Sequence, residues 1–114
     1  MPELNIETEQ LDDSICLVKL AGFLDAHTFE QLDETITELF DDDQYKIIAD
    51  LSGLEYISSA GAGVFIGGLA TAQENGGNIV ICRPTENVHE VFDLLGLTQI
   101  FTISASVDAS KGEF

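Results

Sequence analysis

Two hydrophobic periods alternate along this 114-residue chain, and each change of period marks an element. Leu4, Ile6 and Thr8 alternate with Asn5, Glu7 and Glu9, the period of a strand with one wet face. Asp12-Asp13 then marks a turn into Ser14–Ala21, which is apolar on both faces apart from Lys19. A hairpin is predicted. From Thr28 to Phe40 the period lengthens: Phe29, Leu32, Ile36, Leu39 and Phe40 fall on one helical face, Glu30, Asp33, Glu34 and Glu38 on the other, and Thr28 with Gln31 fits a capping box. Asp41-Asp42-Asp43 ends the helix as a solvated loop, because negative charge is unfavourable at a helix C-terminus.

Lys46–Leu51 reads as a buried strand and Ser52–Ile57 as a loop. A helix follows from about Ala60 to Gln73, with Ala62, Phe65, Ile66 and Leu69 as its core stripe and a left-handed cap at Asn75-Gly76-Gly77. The continuous Ile79-Val80-Ile81 within Asn78–Cys82 predicts a strand buried on both faces, as in parallel sheets. Pro84-Thr85 opens a third helix with Val88, Val91, Phe92 and Leu95 inward. Gly96 ends it, and Gln99–Ile103 is the last strand. Residues 105–114 have little periodicity and read as a flexible tail, with any C-terminal helix short or absent.

The order ββαβαβαβ defines an α/β fold: one domain over residues 1–114, with a mixed, mostly parallel five-stranded sheet and three main helices. Strand order does not follow from the sequence. The loops after Ala21 and Leu51 leave the carboxyl ends of parallel strands, where open α/β sheets place their sites, so Asp25 and Ser59 are expected on one face.

Composition narrows the function. The 21 acidic residues against 4 basic ones give a net charge of −17, and Lys19, Lys46, Arg83 and Lys111 are scattered, which excludes a nucleic-acid surface and disfavours anionic membranes. Neither a membrane span nor a secretory leader is legible, and Cys16 and Cys82 fall in apolar strands as small buried hydrophobes. A cytoplasmic protein without disulfides is expected. No enzyme motif is complete. Ser58-Ser59-Ala60-Gly61 is not a nucleophile elbow, His27 and His89 fall in no recognisable catalytic order, Ile66 occupies the place of the third dinucleotide-loop glycine, and no Cys/His cluster offers a metal site. No cofactor is expected.

What stands out is the helix start at Ser58-Ser59-Ala60-Gly61. The first N–H groups of a helix lack internal partners and sit at the positive end of its dipole, so a serine there can cap the helix or hold a phosphate. The surrounding run Asp50-Leu51-Ser52-Gly53-Leu54-Glu55-Tyr56-Ile57-Ser58-Ser59-Ala60-Gly61-Ala62-Gly63-Val64 resembles the signature of bacterial anti-sigma factor antagonists, the STAS-domain family. Gly22-Phe23-Leu24-Asp25-Ala26-His27-Thr28 and Val91-Phe92-Asp93-Leu94-Leu95-Gly96-Leu97 are similar to two further segments of that family, in the same order.

The resemblance implies a phosphorylation-controlled partner switch. The unphosphorylated domain binds an anti-sigma factor that is often itself a serine kinase, phosphorylation releases it, and a PP2C-type phosphatase restores it. It implies Ser59 as phosphoacceptor, with Ser58 the alternative because the family often has aspartate there. It places Phe23, Asp25, His27, Thr28, Ser58, Ser59, Ala60, Ala62 and Gly63 on the partner surface, with Asp50, a strand-end carboxylate, and Gly61 in support. Ala62 and Gly68 are smaller than the family's usual residues and so flatten that surface. The other reading the family allows is a non-switching scaffold or accessory subunit of a stress-signalling or lipid-transport complex.

Overall fold

The computed structural model describes residues 3–12 and 14–114; Met1, Pro2 and Asp13, one of the two acidic residues expected at the turn, lie outside them. Strand β1 (Leu4–Gln10) pairs antiparallel with β2 (Ile15–Leu24), from Leu4 opposite Gly22 to Gln10 opposite Cys16. Asp12 shapes the turn, its Oδ1 accepting the N–H groups of Ser14 and Ile15 at 3.1 and 3.2 Å. Strands β3 (Lys46–Ile57), β4 (Asn78–Cys82) and β5 (Ile103–Ser104) add in parallel, and the sheet order is β1-β2-β3-β4-β5. This is the mixed, mostly parallel sheet that the alternation of elements predicts.

Helices α1 (Phe29–Asp41), α2 (Ser59–Glu74) and α3 (Glu86–Leu94) cover one face. Leu32 and Ile36 of α1, Phe65 and Leu69 of α2, and Val88 and Phe92 of α3 meet Val18, Leu20, Ile47, Ala49, Ile79 and Ile81 in one buried core. Phe65, Phe92 and Phe101 form its centre, with ring centroids 5.9–6.4 Å apart in tilted or edge-on pairs, the arrangements aromatic quadrupoles favour. The other face is covered only in part. There Ile15, Leu17, Ile48 and Cys82 pack with Leu11, Val107 and Phe114.

Several expectations are corrected. Strand β3 does not stop at Leu51: Ser52-Gly53 is a bulge, where the pairing with β2 slips from Lys19–Asp50 to Ala21–Gly53, and after a second slip between Gly22–Leu54 and Phe23–Tyr56 it runs on to Ile57. Glycine fits the bulge because a Cβ on Gly53 would lie 3.0 Å from Ala21 Cβ and 3.2 Å from the Leu20 carbonyl oxygen. Ile66 is 43% exposed. Helix α2 is apolar on nearly every side, so its period did not single out the inward face, which is built from Gly61, Ala62, Phe65, Gly68, Leu69 and Ala72.

Leu95 is also exposed, because α3 ends one residue earlier and left-handed Gly96 (φ 75°) redirects the chain into a 3-10 turn, Leu97–Gln99. Leu97 and Phe101 take the core positions, and the chain joins the sheet only at Ile103. Beyond Ser104 the chain forms α4 (Val107–Lys111), the short C-terminal helix that the sequence allows. Ser106 Oγ caps it by accepting the Ala109 N–H at 3.0 Å, and Ser110 is fully buried, its hydroxyl donating to the Ser106 carbonyl.

Candidate functional site

Strands β2 and β3 end side by side, Phe23 opposite Tyr56 and Leu24 opposite Ile57, so the loops that follow them emerge together. The Ser58 N–H donates to the Leu24 carbonyl at 2.9 Å. Gly61 tightens the junction: a Cβ there would fall 2.5 Å from Leu24 Cγ and 3.1 Å from the Leu24 oxygen, so only glycine lets α2 begin this close to β2. The Asp25 loop and the start of α2 thus lie on the same end of the sheet.

The two serines at that start differ. Ser58 is the N-cap, extended at φ −97° and ψ 172°, half-buried, with its Oγ accepting the Gly61 N–H at 3.3 Å. Ser59 is the first helical residue, and it is exposed. The first turn of α2 contains no acidic side chain, so the positive end of its dipole is not offset there. Ala60 is half-buried, while Gly63 is exposed one turn further on. A Cβ on Gly63 or Gly67 would meet nothing within 4 Å, so no packing within the chain requires glycine at either place.

On the β2 side, Asp25 folds its own loop. Its Oδ1 accepts the His27 N–H at 2.8 Å and the Thr28 hydroxyl at 3.3 Å, and its N–H donates to Thr28 Oγ1 at 2.9 Å. Thr28 Oγ1 also donates to the Phe23 carbonyl at 2.8 Å. These bonds replace the expected capping box, since Thr28 precedes α1 without capping it through its side chain. They also correct its placement on the partner surface. Thr28 is buried and holds Asp25 and His27 in place, with His27 exposed and Asp25 half-buried. Ala62 and Gly68 are buried too, Ala62 in the core and Gly68 against Ile79, so neither flattens an outer surface.

Asp50 lies mid-strand rather than at a strand end, because β3 continues past it. Its side chain is buried; Oδ1 accepts the Ser52 N–H at 3.0 Å and Oδ2 the Arg83 guanidinium at 2.6 Å. Burial alone would push its pKa up, but the bonds from Arg83 and Ser52 outweigh it and hold the carboxyl below its ordinary value. Arg83 is itself in the left-handed region at φ 50°, secured by this ion pair and by its N–H bond to Ser104. Cys16 and Cys82 are buried free thiols, and burial pushes the Cys16 pKa up. Among the described residues no cluster of three or more His, Cys, Asp or Glu could hold a metal, and no helix is long and apolar enough to cross a membrane.

Two features escaped the sequence reading. Arg83 had no visible partner because Asp50 is 33 residues away and meets it only through the β3–β4 pairing. Tyr56 was assigned to a loop. No period of two marks the strand there, because a second register slip between Gly22–Leu54 and Phe23–Tyr56 turns Leu54 and Ile57, three residues apart, both inward.

An α/β sheet of this order, with a capped helix start beside the end of β2, defines a class of domain. Residues 5–110 match the family model described as the STAS domain. The chain is 30% identical over 105 residues to the anti-sigma-B factor antagonist of Staphylococcus epidermidis, covering 92% of this chain and 96% of that one. The chain belongs to the STAS-domain family of anti-sigma factor antagonists. Solved structures share the fold. The unphosphorylated anti-sigma factor antagonist SpoIIAA superposes with a TM-score of 0.80 at 24% identity, over 91% of this chain and 90% of that one. The Bacillus cell fate determinant SpoIIAA in its phosphorylated form superposes with 0.76 at 21% identity, over 96% and 98%.

Proposed function

We propose that this chain is a cytoplasmic, non-enzymatic anti-sigma factor antagonist whose binding to an anti-sigma factor with serine kinase activity is switched by phosphorylation of Ser59. The observation that carries the reading is the division of labour between adjacent serines: Ser58 Oγ is engaged in capping, while Ser59 stands exposed at the first helical position. In the transfer, Ser59 Oγ forms a bond to the γ-phosphorus of ATP as the bond to ADP breaks, and the hydroxyl proton passes to a base of the kinase. The phosphate adds about 1.5 to 2 negative charges. Charge of that sign suits the positive end of α2, so the fold tolerates it, whereas an apposed protein surface loses a neutral close contact. A PP2C-type phosphatase then reverses the modification.

The geometry also supports Asp25, His27, Ala60 and Gly63 as the surroundings that a partner reads, with Thr28 and Gly61 holding them in position. Incubation with the cognate anti-sigma kinase and ATP is expected to add one phosphoryl group, mapped by mass spectrometry to Ser59 and lost in Ser59→Ala. Stoichiometric labelling at Ser58, or none in the wild type, overturns this function.

A further inference from the structure

Tyr56 is 46% exposed although it belongs to a strand, two residues before the α2 cap. It is not loose. Phe23, its register partner on β2, lies alongside with ring centroids 6.1 Å apart and planes inclined by 36°, while the next pair, Leu24 and Ile57, points to the other side of the sheet and is buried in the helix-side core. The backbone that carries this pair also carries the switch. Leu24 accepts the Ser58 N–H, Gly61 packs on Leu24, and Phe23 accepts the Thr28 hydroxyl that organises the Asp25 loop. The ring pair therefore has a fixed position relative to the start of α2, where Ser59 lies.

On a chain of net charge −17, an aromatic ring is a contact of a different kind from the acidic surface around it. Exposed aromatics held rigidly lose little conformational freedom on binding and bury a large area, which is why Tyr is over-represented among energetically dominant interface residues. Charge steers a partner over long distances; an aromatic anchor acts only in contact.

We propose that Tyr56, braced by Phe23, is the constant anchor through which the anti-sigma kinase grips this chain, separate from the Ser59 contact that phosphorylation switches. The proposal rests on the function given above and names a binding residue at the same end of the sheet. A contact made equally before and during phosphoryl transfer contributes to KM and leaves kcat alone.

Steady-state phosphorylation by the purified cognate kinase tests this. Tyr56→Ala is expected to raise KM by at least about tenfold with kcat within about twofold of wild type, and Tyr56→Phe, which keeps the ring, to restore the wild-type KM. Leu94→Ala removes the most exposed large aliphatic among the described residues (86%) at the far end of α3, and is expected to change neither constant. An unchanged KM in Tyr56→Ala, a loss confined to kcat, or an equal loss in Tyr56→Phe overturns the anchor while leaving the switch intact. A wild-type chain that the kinase neither binds nor modifies overturns both.

Discussion

The Ser58 amide is bonded to the Leu24 carbonyl at 2.9 Å, so the start of the central helix is fastened to the end of the neighbouring strand before either residue's side chain is considered. The side chains then divide the work. Ser58 turns its hydroxyl inward to the Gly61 amide, and Ser59 is free to present its own to solvent.

That division predicts opposite responses at adjacent positions. Ser58→Ala removes a helix cap and is expected to lower stability by about 0.5–2 kcal/mol, whereas Ser59→Asp places a negative charge at the helix N-terminus and is expected to raise it by a few tenths to about 1 kcal/mol. Partner affinity should respond in the other order, with Ser59→Asp weakening it at least roughly tenfold. Urea denaturation and calorimetry with the cognate anti-sigma factor measure the two quantities; a strongly destabilised Ser59→Asp would show that Ser59 is structural.

Gly63 and Gly67 give a second test, because open space surrounds the Cβ each lacks. In a helix, Ala is more favourable than Gly by about 1 kcal/mol, so Gly63→Ala and Gly67→Ala are each expected to raise the unfolding free energy by roughly that amount. If the exposed side of α2 is where the partner approaches, these more stable variants bind less tightly. Greater stability with unaltered affinity would place the contact elsewhere.

The architecture was legible because period and punctuation agreed: Ile79-Val80-Ile81 announces a doubly buried strand, and Asn75-Gly76-Gly77 announces a helix end, with Gly76 left-handed as expected. Where they conflicted, the reading failed. Ser52-Gly53 looks like a turn but is a bulge inside β3, since the tertiary pairing with Ala21 outweighs a local turn preference. Helix α4 is too short for its period to register, yet its ends were written in the chain: Ser106 at the cap, Asp108 in the first turn and Lys111 in the last. Of the site, the position of Ser59 could be read from motif alone. The burial of Thr28 could not, because it depends on which way the Asp25 loop closes, whereas that of Ala62 follows from its place in the core stripe, against the partner-surface role that the resemblance implied.

Asp50 supplies a prediction about pH. Its folded-state pKa is depressed, so the stability it contributes is complete above the unfolded-chain value of about 3.9 and disappears as pH falls through the lower folded-state value. Asp50→Asn keeps an acceptor for the Ser52 N–H but loses the charge facing Arg83. It is expected to lower Tm by a few degrees at pH 7, with the gap from wild type closing progressively below about pH 4. A gap that does not change with pH would mean that shape, and not charge, is what Asp50 contributes.

The strand order has a consequence for how the chain is made. Every strand lies beside its immediate predecessor, so a chain emerging from the ribosome can lay each new strand on an edge already formed and never has to reserve a gap for a later one. The sheet ends at β5, only two residues long, and the segment after it crosses to the opposite side of the sheet, where Val107 and Phe114 pack with Ile15, Leu17, Ile48 and Cys82. The segment after β5 acts as a latch: without it, Ile15, Leu17, Ile48 and Cys82 lose the cover of Val107 and Phe114 on the side of the sheet away from α1, α2 and α3.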